Sequence, residues 1–365
     1  MRVALVYDRL NKIGGAEKVL LAFHDLFPDA DWYTSFWDPA TAPFSRTWRV
    51  HHFPFLHHHH EWFPFLMPFI FEAYDLSSYD LVISIGSAES KGIITKPSSY
   101  HLHYCLTPTR YLYSHADEYL DNPLYRFVAK YLRFWDQVAS SRPDKMIAIS
   151  TQVKNRIKKY YNRDSEVIFP PVDTQRFALT DKPSIQRANP QNRRFADLPD
   201  KYFLTVSRLV PYKRIDILIR AFNQMPDRHL VVVGTGSELA RLKRLSRPNT
   251  HFVGYVSDVD LPAYYQHALA FLQANEEDFG ISMVEAQAAG TPVIAYQKGG
   301  ASDIVIDQIT GLLLPDNKVK SVVAAIDNFG QIAFDRGACR QNAKRFDLNK
   351  WNQQLTKILR KYDRN

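Results

Sequence analysis

Two pairs of residues are spaced to act on one elongated ligand. In SRLVPYKR, Arg208 and Lys213 follow the apolar run YFLTVS (202–207), with Pro211 setting a turn between them. Two cations at the ligand-facing end of a strand can straddle a diphosphate, the guanidinium forking two oxygens and the ammonium acting as a point charge. A solvated basic turn is the plain alternative. Farther on, Glu277 and Glu285 flank Phe279, Gly280, Ile281 and Ser282, which lead from LAFLQA (269–274) into a helix. Carboxylate oxygens accept hydrogen bonds from vicinal hydroxyls, and N–H groups at a helix start suit phosphate or sugar oxygens. Acids merely favoured by the helix dipole are the competing explanation. Gly14 and Gly15 open the first helix after the first strand, as an anion-approaching turn or a simple tight one. GxGxxG and Walker A are absent, which argues against a nicotinamide cofactor and a P-loop.

These residues need strands and helices to hold them. RVALVY (2–7), DLVISI (80–85), LHYCL (102–106) and KMIAIS (145–150) read as strands, Ala16 to Leu26 as a helix, and about Glu118 to Ser140 as a long amphipathic helix. Ala178 to Asp200, rich in Pro, Asn, Gln and Arg, reads as a linker or excursion. A second series follows: YFLTVS, a helix Ile215 to Asn223, LVVVG (230–234), HFVGYV (251–256), LAFLQA, TPVIA (291–295) and GLLL (311–314). The last segment, Asn349 to Tyr362, reads as an amphipathic helix. This alternation predicts an α/β protein with two doubly wound, Rossmann-like domains facing a central cleft, ligands lying at the carboxyl ends of the strands. The expected division is a first domain over 1–170, a second over 171–345, and a C-terminal helix over 346–365.

Composition agrees with a folded two-domain chain: 365 residues, 45% hydrophobic and 23% charged. A net charge of +8 favours anionic ligands without choosing among them. Nucleic-acid binding is not expected, because no groove-reading motif accompanies the charge. The two cysteines, Cys105 and Cys339, have neither disulfide nor zinc spacing, so a reducing compartment is expected. The early apolar run is too short for a signal sequence, and Trp62 to Glu72 too broken for a membrane span. A cytoplasmic protein is expected, with peripheral contact at the inner membrane face as an option.

Glu277 and Glu285, with the seven residues between them and AQAAGTPVIA after them, resemble the E-x7-E signature of GT-B fold retaining glycosyltransferases of family 4. Arg208 and Lys213 are similar to that family's phosphate pair, VVVGTGSE (231–238) to its glycine turn, PPVDTQRF (170–177) to its domain-crossing segment and IGGAEKVL (13–20) to its N-terminal loop. YCLTPTRYLY (104–113) resembles a segment of the branch containing O-antigen and exopolysaccharide mannosyl- and hexosyltransferases. The sequence departs from that branch at Leu106, where His is usual, leaving His101 and His103 as nearby candidates. It departs again at Asp278, where the usual Gly would adopt a positive φ more readily.

The resemblance implies roles. Glu285 would hold ribose hydroxyls. Glu277 and the N–H groups of Phe279 to Ile281 would hold the transferred sugar. Arg208 and Lys213 would neutralise the diphosphate leaving group, so that no metal or other cofactor is expected. Gly15, Gly234, Val256 and Ser282 complete the implied donor set, and His103 joins Glu277, Arg208 and Lys213 as a catalytic candidate. His101, Arg110, Tyr111 and His115 are acceptor-side candidates. The resemblance makes 1–170 the acceptor-side domain and 171–345 the nucleotide-sugar-binding domain, with the helix over 346–365 crossing back to the first, and it implies domain closure near 170–177 and 345–350. The expected reaction is transfer of a hexose, UDP-glucose first and GDP-mannose next, to a glycan or lipid-linked acceptor in surface polysaccharide synthesis. The alternatives are a sugar-nucleotide epimerase on the same fold and a catalytically silent partner subunit.

The internal run His57 to His60 reads as a partly exposed loop rather than a metal site, since consecutive side chains diverge. The aromatic stretch around it, 53–71, reads as core beside the acceptor, or as a lipid contact. Lys154, Arg156, Lys158 and Lys159 read as a solvated helix face.

Overall fold

The computed structural model describes residues 1–12, 14–53, 64–114, 123–178, 195 and 197–362. The chain divides into two units, Met1–Pro171 with Trp351–Asn365, and Val172–Lys350. The C-terminal segment therefore belongs to the first unit although the second intervenes.

In the first unit seven strands form one sheet in the order β3-β2-β1-β4-β5-β6-β7: β1 (Val3–Tyr7), β2 (Asp31–Thr34), β3 (Arg49–His51), β4 (Leu81–Gly86), β5 (Tyr100–Cys105), β6 (Lys145–Ala148) and β7 (Glu166–Val167). Every pairing is parallel, from Val3↔Leu81 at the centre to Ala148↔Val167 at one edge. β4 is buried along its whole length, as a parallel strand covered on both faces must be. The short strands β2, β3 and β7, of which β3 and β7 are the sheet edges, were not anticipated; with two to four residues each they leave too little pattern to read.

Helices α1 (Gly15–Leu26), α2 (Met67–Glu72), α3 (Pro123–Ser140) and α4 (Thr151–Tyr161) belong to this unit. Local chemistry sets the ends of α4: the Ser150 hydroxyl accepts from the Val153 N–H at 3.1 Å, and Asn162 closes the helix with φ 50°. Lys154, Lys158 and Lys159 form a solvated face as expected, Lys158 pairing with Asp164 at 3.1 Å, whereas Arg156 is half-buried and donates to the Thr107 hydroxyl at 3.2 Å.

The second unit holds six parallel strands in the order β10-β9-β8-β11-β12-β13: β8 (Phe203–Val206), β9 (Leu230–Val233), β10 (Thr250–Gly254), β11 (Phe271–Gln273), β12 (Val293–Tyr296) and β13 (Gly311–Leu314). Around it lie α5 (Ile215–Phe222), α6 (Leu239–Leu245), α7 (Leu261–His267), α8 (Ile281–Ala288), α9 (Val319–Phe329) and α10 (Arg336–Ala343). One face of this sheet packs Phe203, Leu230, Val232, Leu272, Ile294 and Leu312 against α5 and α9. Each such buried side chain contributes roughly 1.5–3 kcal/mol. The last helix, α11 (Leu348–Tyr362), begins at the boundary between the units.

Among the described residues no helix is long and apolar enough to cross a membrane.

Candidate functional site

Strand order locates a ligand crevice in each unit. In the second, β8 and β11 are neighbours although the chain visits β9 and β10 between them, so the order reverses there. A crevice opens outside the carboxyl ends of strands at such a reversal. The segments leaving those two ends are the ones carrying Arg208 with Lys213 and Glu277 with Glu285. The tertiary fold thus brings together two motifs about sixty residues apart.

The chain leaves β8 along β9, with the Ser207 N–H bonded to the Val233 carbonyl at 3.0 Å and the Leu209 N–H to Thr235 at 2.8 Å. Pro211–Lys213 then form a 3-10 turn, and Arg214 takes a left-handed conformation (φ 51°, ψ 35°) before α5 begins. The helix starts at Ile215, where the sequence reading put it, and Lys213 sits on the turn before it. Its ammonium pairs with Glu277 Oε1, with only 16% and 15% of the two side chains exposed. Asn275 Nδ2 donates to the same oxygen at 2.9 Å. Tyr212 organises both cations: its hydroxyl accepts from the Arg208 guanidinium at 2.6 Å, and its ring lies 5.3 Å from Lys213 Nζ. Arg208 is otherwise exposed. Tyr212 and Asn275 were missed by sequence reasoning, although Tyr212 is next to Lys213 and Asn275 lies two residues before Glu277.

The loop carrying Glu277 is fixed by backbone. The Gly300 N–H donates to the Glu277 carbonyl at 2.8 Å. Gly299 lies at φ +84°, and a Cβ there would come within 2.1 Å of that carbonyl oxygen. Gly280 adopts φ 101°, ψ 62° and starts α8 without a side-chain cap, so Ile281 and Ser282 present the first N–H groups of a helix. Phe279 is buried and packs edge-on against Phe346 at 5.6 Å, so only its backbone can face a ligand. Asp278 is not among the positive-φ residues, and replacing Gly there carries no backbone strain.

Glu285 is 2% exposed and accepts from the Tyr265 hydroxyl at 2.9 Å. Burial, and then the neighbouring Glu285 charge, push the Tyr265 hydroxyl well above its usual range, so it remains a donor. Gly234 lies in the turn directly after β9. Its N–H is bonded to the Gly254 carbonyl at 2.8 Å, and at its φ of +133° a Cβ would meet the Ser207 carbonyl oxygen at 1.9 Å, so a glycine is needed for the chain leaving β8 to run this close. It shapes the turn and does not offer its N–H. Val256 lies past the end of β10, partly buried.

The first unit reverses between β1 and β4. Asp8, just past β1, accepts from the N–H groups of Ser87, Ala88 and Ser90 at 2.7, 3.0 and 2.9 Å, tying the loop after β4 to β1. Glu89 on that loop is buried, takes the Tyr111 hydroxyl on Oε1 and faces Arg9 at 3.6 Å. Burial raises its carboxyl above the usual range, against the lowering effect of Arg9. Lys91 is also buried and pairs with Asp136. The Tyr111 hydroxyl is thus held by Glu89 in a positioning contact, and Arg110 is partly exposed beside it. Asp8, Glu89 and Lys91 were overlooked, although charged residues directly after buried strands were a readable signal. Gly15 lies exposed at the first turn of α1, and Glu17 behind it is buried and takes the Tyr7 hydroxyl at 3.0 Å.

His101 and His103 are corrected by the structure. Both lie inside β5, 0% and 1% exposed, and share the Ser84 hydroxyl at 2.8 and 2.9 Å. Period-two alternation sends both imidazoles into the layer beneath the sheet, away from its carboxyl rim. Burial, with cationic neighbours adding to it, lowers His101 to about 3 and His103 well below its usual range. Neither can reach a substrate. His115 and the run His57 to His60 lie outside the described residues.

Two Rossmann-like units, each with a crevice at its strand reversal, define the GT-B class of fold. Solved structures agree over nearly the whole chain. The Anabaena protein HepE in complex with UDP-glucose aligns with a TM-score of 0.72 at 20% identity, covering 99% of this chain and 100% of that one. Sucrose-phosphate synthase from Thermosynechococcus elongatus gives 0.72 at 20% identity, covering 99% of each. Residues 187–346 match the family model described as glycosyl transferases group 1. Among curated relatives, the D-inositol 3-phosphate glycosyltransferase of Salinispora tropica is 29% identical over 249 residues, 60% of this chain and 50% of its own. The GDP-mannose-dependent alpha-(1-6)-phosphatidylinositol monomannoside mannosyltransferase of Mycobacterium tuberculosis is 35% identical over 187 residues, 44% of this chain and 45% of its own. The chain spans about half the length of the curated relatives it matches.

Proposed function

We propose that this protein is a retaining glycosyltransferase that moves a hexose from a nucleotide diphosphate sugar to a glycan or lipid-linked acceptor, in surface polysaccharide synthesis. The observation that carries the reading is the shielded Lys213–Glu277 pair beside the start of α8. An ammonium keeps donors beyond the one given to a single partner. Asn275 and Lys213 both bond Oε1 of Glu277, which directs Oε2 to a sugar hydroxyl. Glu285, held by Tyr265, takes the ribose. Arg208 and Lys213 take the diphosphate.

Negative charge grows on the departing phosphate oxygen as its bond to the sugar C1 lengthens. Fixed cations there stabilise the transition state more than the ground state. We assign this work to the two side chains and expect transfer without a metal ion. Retention then follows from attack of the acceptor hydroxyl on the face the diphosphate leaves, its proton passing to a departing phosphate oxygen. UDP-glucose is the first choice of donor, supported by the fold shared with a UDP-glucose complex. GDP-mannose is second, supported by the relative named for it.

The test is a thermal-shift and slow-hydrolysis screen against UDP-glucose, UDP-galactose, UDP-N-acetylglucosamine, GDP-mannose and dTDP sugars, with and without EDTA. One donor should stabilise the protein and release its nucleoside diphosphate slowly, unaffected by EDTA. Glu277→Gln should lower that rate by about 10²-fold or more. Silence towards every donor would sink the enzymatic reading, and release that stops with EDTA would sink the metal-free one.

A further inference from the structure

Helix α3 is apolar on both faces. Ala129, Leu132, Trp135 and Ala139 are buried against the first unit. On the other side Phe127, Tyr131, Phe134 and Val138 are 74%, 41%, 68% and 43% exposed. Their spacing of four, three and four residues makes one continuous stripe about 16 Å long. Its exposed neighbours are Arg126, Lys130 and Gln137. The acid of this helix, Asp136, is buried in its pair with Lys91, so the outer face carries cations and no carboxylate. Next to it Phe69 of α2 and Phe65 of the turn leading into α2 are 57% and 41% exposed, and Trp135 Nε1 donates to Glu72 at the end of α2 at 2.8 Å.

We infer that the outer face of α3 docks this protein on an anionic lipid surface, with Phe127 and Phe134 entering the headgroup region and Arg126 and Lys130 facing lipid phosphates. A row of exposed aromatics flanked by cations is the composition of a helix that lies in a membrane interface. Each cation near such a surface adds an attraction that salt screens. A second copy of the chain fits the face less well, because a self-complementary contact would gather like charges, and among the described residues of α3 no exposed acid offsets them. The sequence had pointed to the aromatic stretch 53–71 for any lipid contact; this surface is on a different element. It does not depend on the donor chemistry.

The test uses the full chain with sedimenting vesicles of phosphatidylcholine, alone or with about a quarter phosphatidylglycerol. Binding should require the anionic lipid and weaken with added salt. It should fall about tenfold or more in both Phe127→Ser/Phe134→Ser and Arg126→Glu/Lys130→Glu. These residues are exposed, so both variants should keep the wild-type melting transition and nucleotide response. No binding by the wild type, equal binding to neutral vesicles, or full binding by the serine variant overturns the inference. So does a wild-type dimer that the serine variant dissociates without any vesicle binding. A loss of donor response with vesicle binding intact would instead count against the proposed reaction alone.

Discussion

Lys213 and Glu277 show why residue identity and residue role are separate questions. A cation and a carboxylate each shielded from water are costly alone, and each compensates the other. The buried histidines make the same point in reverse. An imidazole in the sheet layer must stay neutral, whereas in an unfolded chain it takes a proton near pH 6.5. The folded values lie far below that, about 3 for His101 and lower than normal for His103. Their depressed values therefore leave stability intact above pH 6.5 and erode it as pH falls below. Each imidazole should remove about 1.4 kcal/mol per pH unit over that range. Chemical denaturation from about pH 7.5 to about pH 5 should show this slope, and His101→Gln should make it shallower. A flat profile in the wild type would refute the assignment of both groups as neutral.

At the scale of elements, the site depends on backbone contacts that place side chains. Gly299 is the sharpest case, because its positive φ and its approach to the Glu277 carbonyl are both required. Gly299→Ala should cost about 2 kcal/mol or more in stability through strain and displacement. It should also weaken donor binding, since Glu277 must shift with its carbonyl. Nucleotide-sugar titration calorimetry beside a melting curve would check this; unchanged donor affinity would mean that the loop does not set Glu277. Asp278 teaches the opposite lesson, for a residue that looked strained by analogy takes an ordinary conformation here.

For the whole molecule the decisive feature is a chain that visits the second unit and then returns. Trp351, fully buried in the first unit, lies edge-on to Phe23 at 4.8 Å and to Tyr104 at 6.4 Å. Leu355, Ile358 and Leu359 of α11 are buried with it. Trp351→Ala should destabilise the first unit by about 3–5 kcal/mol and leave the second unit's own core untouched. Calorimetry should therefore show one transition lowered and the other unmoved. Two transitions falling together would mean that the units melt as one.

Much of this was legible in the sequence because it was local. Apolar runs bounded by turns identified β1, β4, β8 and β13. The resemblance, carried by motifs in the right order, supplied the GT-B fold. Arg208, Lys213, Glu277 and Glu285 could be named because charge after a buried strand is conspicuous. Sequence alone did not decide which of them touch. Strand order did, by making β8 and β11 neighbours and so bringing Lys213 to Glu277 and leaving Tyr212 between the two cations. Nor could spacing tell a histidine at the rim of a sheet from one inside it, because side-chain direction depends on where the strand begins and on what covers each face. The apolar outer face of α3 was hidden for the same reason: periodicity shows that a helix has an apolar side, and only packing shows that it has two.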